Sequence, residues 1–286
     1  LHTLGAPHYL NALYDRWRDV PGAMEGKPIG YIDQDVYEAA RAFTGWSVAD
    51  GQNDWQGHIF PNSGEFYYHH SWHDPYQKRV LGIEMDPNSP PQADGRKVLD
   101  LVAAHPGTAR FVCGKLVRRL VADTPPPAIV DAAVAAWEAH RDAPDQIARV
   151  LRSILLHPDF SRHWGAKIKR PFEVFASFFR ALDLPLDARA TPNLTWVNYV
   201  AGYRHFAWGP PTGHPDEAGY WLSTNGMLQR WNGLVFAVSD WFQALDFDPL
   251  RVMPPSVRTV RQMTDFWVER LLGRPLADPA ARARLE

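Results

Sequence analysis

The feature that most constrains the fold is a run of amphipathic segments between residues 94 and 182. In each segment apolar residues recur at three- and four-residue spacing, as they do on one face of an α-helix. Pro106, Pro144 and Pro171 separate the segments, and proline is tolerated in the first turn of a helix but not in its interior. Because the connections are short, antiparallel packing of neighbouring helices is the economical arrangement. The sequence therefore predicts a mainly α, multi-helix protein.

Helices are also expected outside this run. Asp33 is expected to cap a helix that ends near Thr44, and Ser256 to cap a last helix that ends near Leu272. A helix after Asn225 carries one apolar face, formed by Leu228, Trp231, Val235, Val238 and Phe242. The last helix is expected to turn a similar stripe inward, formed by Val257, Val260, Met263, Trp267 and Leu271.

The remaining segments are rich in aromatic residues, proline and glycine. Residues 55–60 and 65–70 alternate in an extended pattern around Pro61-Asn62-Ser63-Gly64, which predicts a small β-hairpin over residues 55–70. Residues 6–30 lack periodicity and are expected to form a loop or insertion, and residues 184–225 to form long aromatic-rich loops with one helix near residues 193–201. With no clear boundary, residues 1–286 are expected to form a single helical domain.

Composition excludes several classes of function. The 30 basic and 32 acidic residues give a net charge of -2, so no basic surplus favours nucleic acid as a partner. The one cysteine, Cys113, lies in an apolar helical pattern and is expected to be a small buried hydrophobe. No apolar run reaches the roughly 18 to 20 residues that a membrane span needs. Motifs of serine hydrolases, phosphate-binding loops and dinucleotide-binding folds are absent from the sequence.

The densest group of chemically active residues lies between Gly64 and Gly82. His73, Asp74 and Lys78 are the candidate catalytic residues, with Asp74 orienting His73 and Lys78 holding an anionic or carbonyl group. The same stretch is also compatible with a divalent metal site, for which the candidate ligands are His2, His69, His73 and Asp74. A structural interpretation stays open as well, in which Asp74 caps a turn and pairs with Lys78.

A second candidate set combines tryptophans with polar side chains, as sugar-binding sites do. The candidate substrate-binding residues are Trp46, Trp72, Lys169, Trp208, Asp216, Trp221, Arg230 and Asn232. Glycoside hydrolysis would further require two carboxylates about 5 to 10 Å apart. Glu38, Asp74, Glu173, Asp216 and Glu217 are the candidates, and sequence alone cannot pair them. Loops that merely cover helix ends are an equally good interpretation of these residues.

Several segments together resemble a bacterial family, the domain of unknown function 1800 family. They are Leu1-His2-Thr3-Leu4-Gly5, residues 35–46, His73-Asp74 with Lys78 and Leu81-Gly82, residues 167–173, Trp208-Gly209-Pro210-Pro211, Trp221-Leu222-Ser223 and Leu228-Gln229-Arg230-Trp231-Asn232. The resemblance implies a periplasmic or secreted protein whose amino-terminal part precedes Leu1. Family members carry an acidic helical run there, which implies that this chain holds only part of the site.

Three functions are compatible with these observations. The first is an exported enzyme, a glycoside hydrolase or lyase, that acts on an extracellular polysaccharide by acid/base chemistry. The second is a metal-binding or redox-associated periplasmic protein that uses the histidine cluster. The third is a non-catalytic binding or assembly module for a co-exported partner protein. A flat apolar patch favours the third, and a solvent-filled cleft with converging acids disfavours it.

Overall fold

The structure is a computed structural model that describes residues 8–9, 14–25, 27–53, 57–184, 191–210, 212–239 and 248–285. It is mainly α-helical, as the sequence predicts. The chain divides into two compact units, which are residues 1–163 (the first unit) and residues 164–286 (the second unit). That the whole chain forms one domain stays a prediction.

The helices of the first unit are α1 (Asp33–Ala42), α2 (Ala93–Ala104), α3 (Pro106–Leu120), α4 (Pro127–Ala139) and α5 (Gln146–Leu155). Those of the second unit are α6 (Pro171–Ala181), α7 (Thr191–Val200), α8 (Ala218–Trp221), α9 (Thr224–Val238), α10 (Pro249–Val252), α11 (Val260–Leu272) and α12 (Pro279–Ala283). Short 3-10 helices cover Tyr14–Asp19, His70–Trp72 and Phe160–His163. Proline stands at the first position of α3, α4 and α6, because a first-turn N–H needs no helical partner.

The strands form three two-stranded sheets among the described residues. β1 (His8–Tyr9) and β2 (Tyr31–Ile32) pair in parallel, whereas β3 (Trp46–Asp50) with β4 (Asn62–Tyr68) and β5 (Lys78–Val80) with β6 (Ile83–Met85) pair antiparallel. The region expected to be a loop or insertion, residues 6–30, thus contains β1 and the 3-10 helix Tyr14–Asp19.

The hairpin prediction over residues 55–70 needs correction. Its second arm is β4, but the partner of β4 is β3, and residues 62–64 belong to the strand and not to a turn. Pro61 is compatible with a strand end because the ladder uses only its carbonyl, which accepts from the Gly51 N–H at 3.0 Å. Trp55 lies outside the described residues.

Two predicted helix caps are also corrected. At the start of α1 the carboxylate of Asp35, and not that of Asp33, accepts the Ile32 N–H at 2.9 Å. At the start of α11 the cap is Thr259 and not Ser256. Thr259 Oγ1 accepts the Gln262 N–H at 3.2 Å while Gln262 Oε1 accepts the Thr259 N–H at 3.1 Å, so both donors are satisfied reciprocally.

The two larger of the three apolar clusters in the described part of the first unit involve its helices. One lies between α3, α4 and α5, with Cys113, Ile129 and Val150 fully buried. Cys113 has no exposed surface, which confirms the prediction of a small buried hydrophobe, and burial raises the pKa of its thiol to about 11. The other cluster joins α1 and α2 to the β5–β6 hairpin through Ala42, Val80 and Val98.

The core of the second unit lies between α6, α7, α9 and α11. Phe175 and Phe179 are buried with Val197 and Ala237, and Trp267 packs against this cluster. Gly233 of α9 permits the approach of α6, since a Cβ there would lie 2.7 Å from the Phe175 ring.

Two apolar stripes of the second unit face outward. On α9, Trp231 is 59% and Val235 60% exposed. On α11, Val260 and Met263 are exposed although an inward stripe was expected, because the core contact uses Trp267 and its neighbours. Among the described residues no helix has the length and apolarity needed to cross a bilayer.

Candidate functional site

Lys78 is the first residue of β5, and its side chain is entirely buried. Its ammonium group donates to Asp74 O at 2.5 Å, to Tyr76 O at 2.8 Å and to Asp94 Oδ2 at 2.8 Å. A lysine ammonium has three N–H donors, so all of them are satisfied. Because no part of the side chain reaches solvent, Lys78 cannot contact a polymeric substrate in this arrangement.

His73 is held between two oxygen acceptors. Its Nδ1 lies 3.0 Å from the backbone oxygen of Thr44, and its Nε2 lies 3.3 Å from Asp94 Oδ2. The carboxylate that contacts the ring is therefore that of Asp94 and not that of Asp74. Hydrogen bonds, chiefly from Lys78, outweigh the opposing effect of burial and lower the pKa of Asp94.

Asp74 is engaged by an arginine of α1. Arg41 donates from Nε to Asp74 Oδ2 at 2.8 Å and from Nη2 to Oδ1 at 3.0 Å, which is the bidentate geometry of strong ion pairs. These hydrogen bonds lower the pKa of Asp74 to about 2 and raise that of Arg41. Asp74 is therefore ionised at neutral pH, which makes it unsuited to act as a general acid.

Two further carboxylates on α1 complete this network. Arg41 Nη1 donates to both oxygens of Glu38, at 2.9 and 2.8 Å, and Glu38 is buried. Asp35 accepts the N–H of Leu81 at 2.8 Å, at the tip of the β5–β6 hairpin, and burial raises its pKa. We call Asp35, Glu38, Arg41, His73, Asp74, Lys78 and Asp94 the ion network.

Sequence reasoning missed three members of the ion network, which are Asp35, Arg41 and Asp94, and considered Glu38 only as one of several carboxylates that a glycosidase could use. Asp35, Glu38 and Arg41 recur at three-residue spacing on α1. That spacing places all three on one face, and it is the signal that could have found them. Asp94 carries no comparable signal, because its partner Lys78 is 16 residues away and on a strand.

The candidate metal ligands do not converge. His69 stacks on Trp72 with ring centroids 4.5 Å apart, and its Nδ1 lies 3.0 Å from Ser71 Oγ. His73 and Asp74 are held by the ion network, and His2 lies outside the described residues. Within the part of the chain that the structure describes, no three His, Cys, Asp or Glu side chains are grouped to hold a metal ion.

Three of the candidate substrate-binding residues, all of them tryptophans, are structural in their contacts. Trp46 packs edge to face on Phe43 and Phe66, and Trp72 lies between His69 and Phe60. In the second unit Trp221 is buried, and its indole N–H donates to Pro215 O at 2.8 Å.

Arg230 is also buried, and burial lowers its pKa. It donates to Gly226 O at 3.1 Å, to Lys169 O at 3.1 Å and to Trp221 O, so it ties α9 to the chain before α6 and to α8. A guanidinium with these partners is not available to a ligand.

The other candidates differ in accessibility. Asp216 lies 3.6 Å from the guanidinium of Arg170, and Lys169 donates to Ser177 Oγ at 2.9 Å on the exposed surface. Asn232 is half-buried on α9.

Trp208 is the candidate that borders an open pocket. The pocket has a volume of about 490 Å³, and its wall includes Tyr199, Gly202, Arg204, Trp208 and His214. The Arg204 guanidinium lies 4.1 Å from the centre of the Tyr199 ring and bonds to the Tyr199 hydroxyl. We call this the aromatic pocket.

The wall of the aromatic pocket is held by the loop that precedes α8. His214 stacks on Tyr203 with centroids 4.4 Å apart, and its Nε2 donates to Arg204 O at 2.9 Å. Trp208 contacts His214 at 5.0 Å and meets Tyr220 edge to face at 5.6 Å. Sequence reasoning found Trp208 but missed Tyr199 and Arg204, which precede it in the chain by nine and four positions.

The chain belongs to the family described as protein of unknown function (DUF1800), which matches residues 1–286. The resemblance inferred from the motifs is thereby confirmed. No curated protein and no solved structure matches the chain.

Proposed function

We propose that the protein binds a carbohydrate in the aromatic pocket and does not hydrolyse it there. The observation that carries this proposal is the combination of Tyr199 and Trp208 with the guanidinium of Arg204 around an open volume of about 490 Å³. Flat aromatic rings cover the apolar faces of a sugar, and a nearby polar group orients its hydroxyls.

The absence of acids from the wall separates binding from hydrolysis. The described residues that line the aromatic pocket include no carboxylate. Glycoside hydrolysis ordinarily needs two carboxyl groups about 5 to 10 Å apart. Within the first unit, the geometry of the ion network supports a structural role for His73, Asp74 and Lys78, because their polar atoms are already paired. Acid/base catalysis by these three residues is therefore the less favoured function.

The test is isothermal titration calorimetry with three classes of soluble oligosaccharide, which contain neutral, amino or uronic sugars. Trp208→Ala is expected to weaken binding about tenfold, which corresponds to about 1.4 kcal/mol. Trp164→Ala removes an exposed tryptophan that does not line the pocket, and it should leave the affinity unchanged. Absence of binding across all three classes, or equal affinity of wild type and Trp208→Ala, would overturn the proposal.

An exported location belongs to this proposal and is supported by the family resemblance. Fractionation of cells that express the full-length gene checks it, because the protein should be recovered from the periplasm or medium. Recovery from the cytoplasmic fraction alone would contradict it.

A second function, assembly with another copy of the chain, is favoured by the outward face of α9. Leu228, Trp231, Val235 and Val238 are exposed at successive spacings of three, four and three residues, the spacing by which two helices interlock. The flanking positions Met227, Asn232 and Leu234 are uncharged, so nothing along the stripe repels an identical helix.

Sedimentation equilibrium over a range of concentrations tests this assembly. The wild type is expected to form dimers, and Val235→Glu to prevent them by placing a charge in the apolar contact. Val48→Glu, at an exposed position of β3, is the control and should dimerise like the wild type. A monomer at every concentration would refute assembly through α9.

A further inference from the structure

A second pocket lies wholly within the first unit, between the β5–β6 hairpin, the end of α2 and the chain before β2. Its volume is about 390 Å³. Pro28, Leu81, Ile83 and Leu101 contribute apolar wall, Lys27 and Arg141 bring positive charge, and Glu138 brings one negative charge. We call it the hairpin pocket. It shares no residue with the aromatic pocket, so nothing argued for it rests on carbohydrate binding.

One wall of the hairpin pocket is held by His105, a buried residue between α2 and α3. Its Nε2 donates to Pro28 O at 2.6 Å, and its Nδ1 accepts the Gly107 N–H at 3.0 Å. With one ring nitrogen donating and the other accepting, both polar atoms of the ring are satisfied. The imidazole therefore ties the chain at Pro28 to the start of α3 and presents no free nitrogen to a ligand.

The opposite wall is held by the ion network. Leu81 has a φ of +52°, a conformation that costs energy for a residue with a branched side chain, and its N–H donates to Asp35 at 2.8 Å. This bond helps to hold the left-handed turn that places Leu81 in the pocket wall.

Lys27 is positioned by a close backbone contact. Its N–H donates to Gly22 O at 2.8 Å, and Gly22 has a φ of +79°. A Cβ at position 22 would lie 2.2 Å from Lys27 O, so only glycine permits the contact. The contacts of His105, Leu81 and Lys27 thus fix the walls before a ligand binds, which lowers the ordering cost of binding.

The charges around the pocket indicate which ligand it would take. Arg141 donates to Glu138 and, at 2.7 Å, to Ala104 O, so its charge is partly compensated. Glu138, the carboxylate in the same wall, bonds to Arg141, and among the described residues no carboxylate pairs with the exposed Lys27. An apolar interior with an uncompensated ammonium at its mouth is complementary to a molecule with an apolar body and one anionic end.

We propose that the hairpin pocket binds a small amphipathic carboxylate, with its apolar chain against Leu81, Ile83 and Leu101 and its carboxylate near Lys27. Binding is non-covalent and uses no group of the ion network directly. Nonetheless, because Asp35 holds Leu81, the wall on which the apolar chain rests depends on the ion network.

The experiment titrates the protein with octanoate below its micellar concentration and follows the backbone amide signals by NMR. Octan-1-ol and octylamine, which have the same chain length but no carboxylate, are titrated for comparison. Octanoate should bind saturably and about tenfold more tightly than octan-1-ol, with octylamine weakest. Lys27→Glu should weaken octanoate about tenfold and leave octan-1-ol unchanged. Lys97→Glu, at an exposed lysine of α2 outside the pocket, is the matched control and should change nothing.

A variant that fills the hairpin pocket with a large side chain tests the site of binding without changing any charge. Ala104→Trp at the exposed end of α2 should block all three probes, and thermal unfolding confirms that the variant is folded. Equal affinity for the three probes would show adventitious apolar binding and overturn the proposal. It would equally be overturned if no probe bound saturably or if Lys27→Glu kept the wild-type affinity for octanoate.

Discussion

The two units of the protein differ in which charged residues they bury and in how those residues are paired. The first unit buries Asp35, Glu38, Lys78 and Asp94, and satisfies them with one another, with Arg41 and with backbone groups. In the described part of the second unit, the buried charged residue is Arg230, whose partners are all backbone oxygens. The second unit instead exposes the apolar faces of α9 and α11.

This difference shows that buried charges and exposed apolar groups have different roles in the protein. Buried ion pairs contribute little net stability, because desolvation offsets attraction, but they penalise any arrangement that leaves a charge unpaired. The ion network thus specifies how α1, α2 and the β5–β6 hairpin pack. Exposed apolar and aromatic groups contribute nothing to a folded core, so they are available for ligands or other chains.

The largest predicted effect comes from removing one partner of a buried pair. Asp94→Ala leaves the ammonium of Lys78 buried with two backbone acceptors, and should lower the free energy of unfolding by about 3 to 5 kcal/mol. Urea denaturation followed by circular dichroism measures it. The control is Asp131→Ala, which breaks an exposed ion pair with Arg110 and should cost less than about 1 kcal/mol. Equal costs for the two variants would contradict the packing role assigned to the buried charges of the first unit.

The next effect tests whether the cores of the two units are equally tight. Gly95→Ala in the first unit would place a Cβ 2.7 Å from the Trp46 ring, and Gly233→Ala in the second would place one 2.7 Å from the Phe175 ring. Each should destabilise by about 1 to 3 kcal/mol in urea denaturation, because overpacking forces a shift. Gly114→Ala, with no atom within 4 Å of its Cβ, should instead stabilise by about 0.5 to 1 kcal/mol. A neutral Gly233→Ala would mean that only the first unit packs closely.

The smallest effect is a pH dependence that belongs to the first unit. The pKa of Asp74 is lowered to about 2 by Arg41, so the folded state favours the ionised form. The stabilisation is present above the ordinary carboxyl pKa of about 4, and it is lost as pH falls from about 4 to about 2.

Its magnitude should be about 1 kcal/mol, because Asp74 is 26% exposed and solvent screens the pair. Urea midpoints measured from pH 5 to pH 2.5 should fall less steeply for Asp74→Asn than for the wild type. Asp35 has the opposite sign, because burial raises its pKa and its ionisation opposes folding as pH rises. Parallel curves for wild type and Asp74→Asn would contradict the assignment.

Local patterns predicted most of the helices but few of the contacts. The apolar periodicity around Cys113 was sufficient to predict α3, and Pro106 and Pro171 correctly marked the starts of α3 and α6, because helix formation depends on neighbours within a few residues. The pairing of β3 with β4 was not predicted. The turn-forming residues at 61–64 indicated a local bend. The strand that pairs with β4 is instead decided by cross-strand contacts of Trp46 and Val48.

The candidate site was predicted in part. His73, Asp74 and Lys78 do lie in one network, but the partners that decide their chemistry are Arg41 and Asp94, which come from two different helices. Trp208 borders a pocket and Trp221 is buried, although both are tryptophans in the same aromatic-rich region. Exposure depends on the neighbours that tertiary packing brings, and the residue type does not carry that information.

The amino-acid sequence by itself determined the helical character of the protein, the starts of helices such as α3 and α6, and its membership of the family, because these depend on local spacing and residue identity. Only the tertiary structure decided that Lys78 is inaccessible, that α9 faces outward and that the aromatic pocket and the hairpin pocket are open. These properties arise from contacts between residues far apart in the chain, where desolvation and packing determine whether a polar group is paired inside or free to bind.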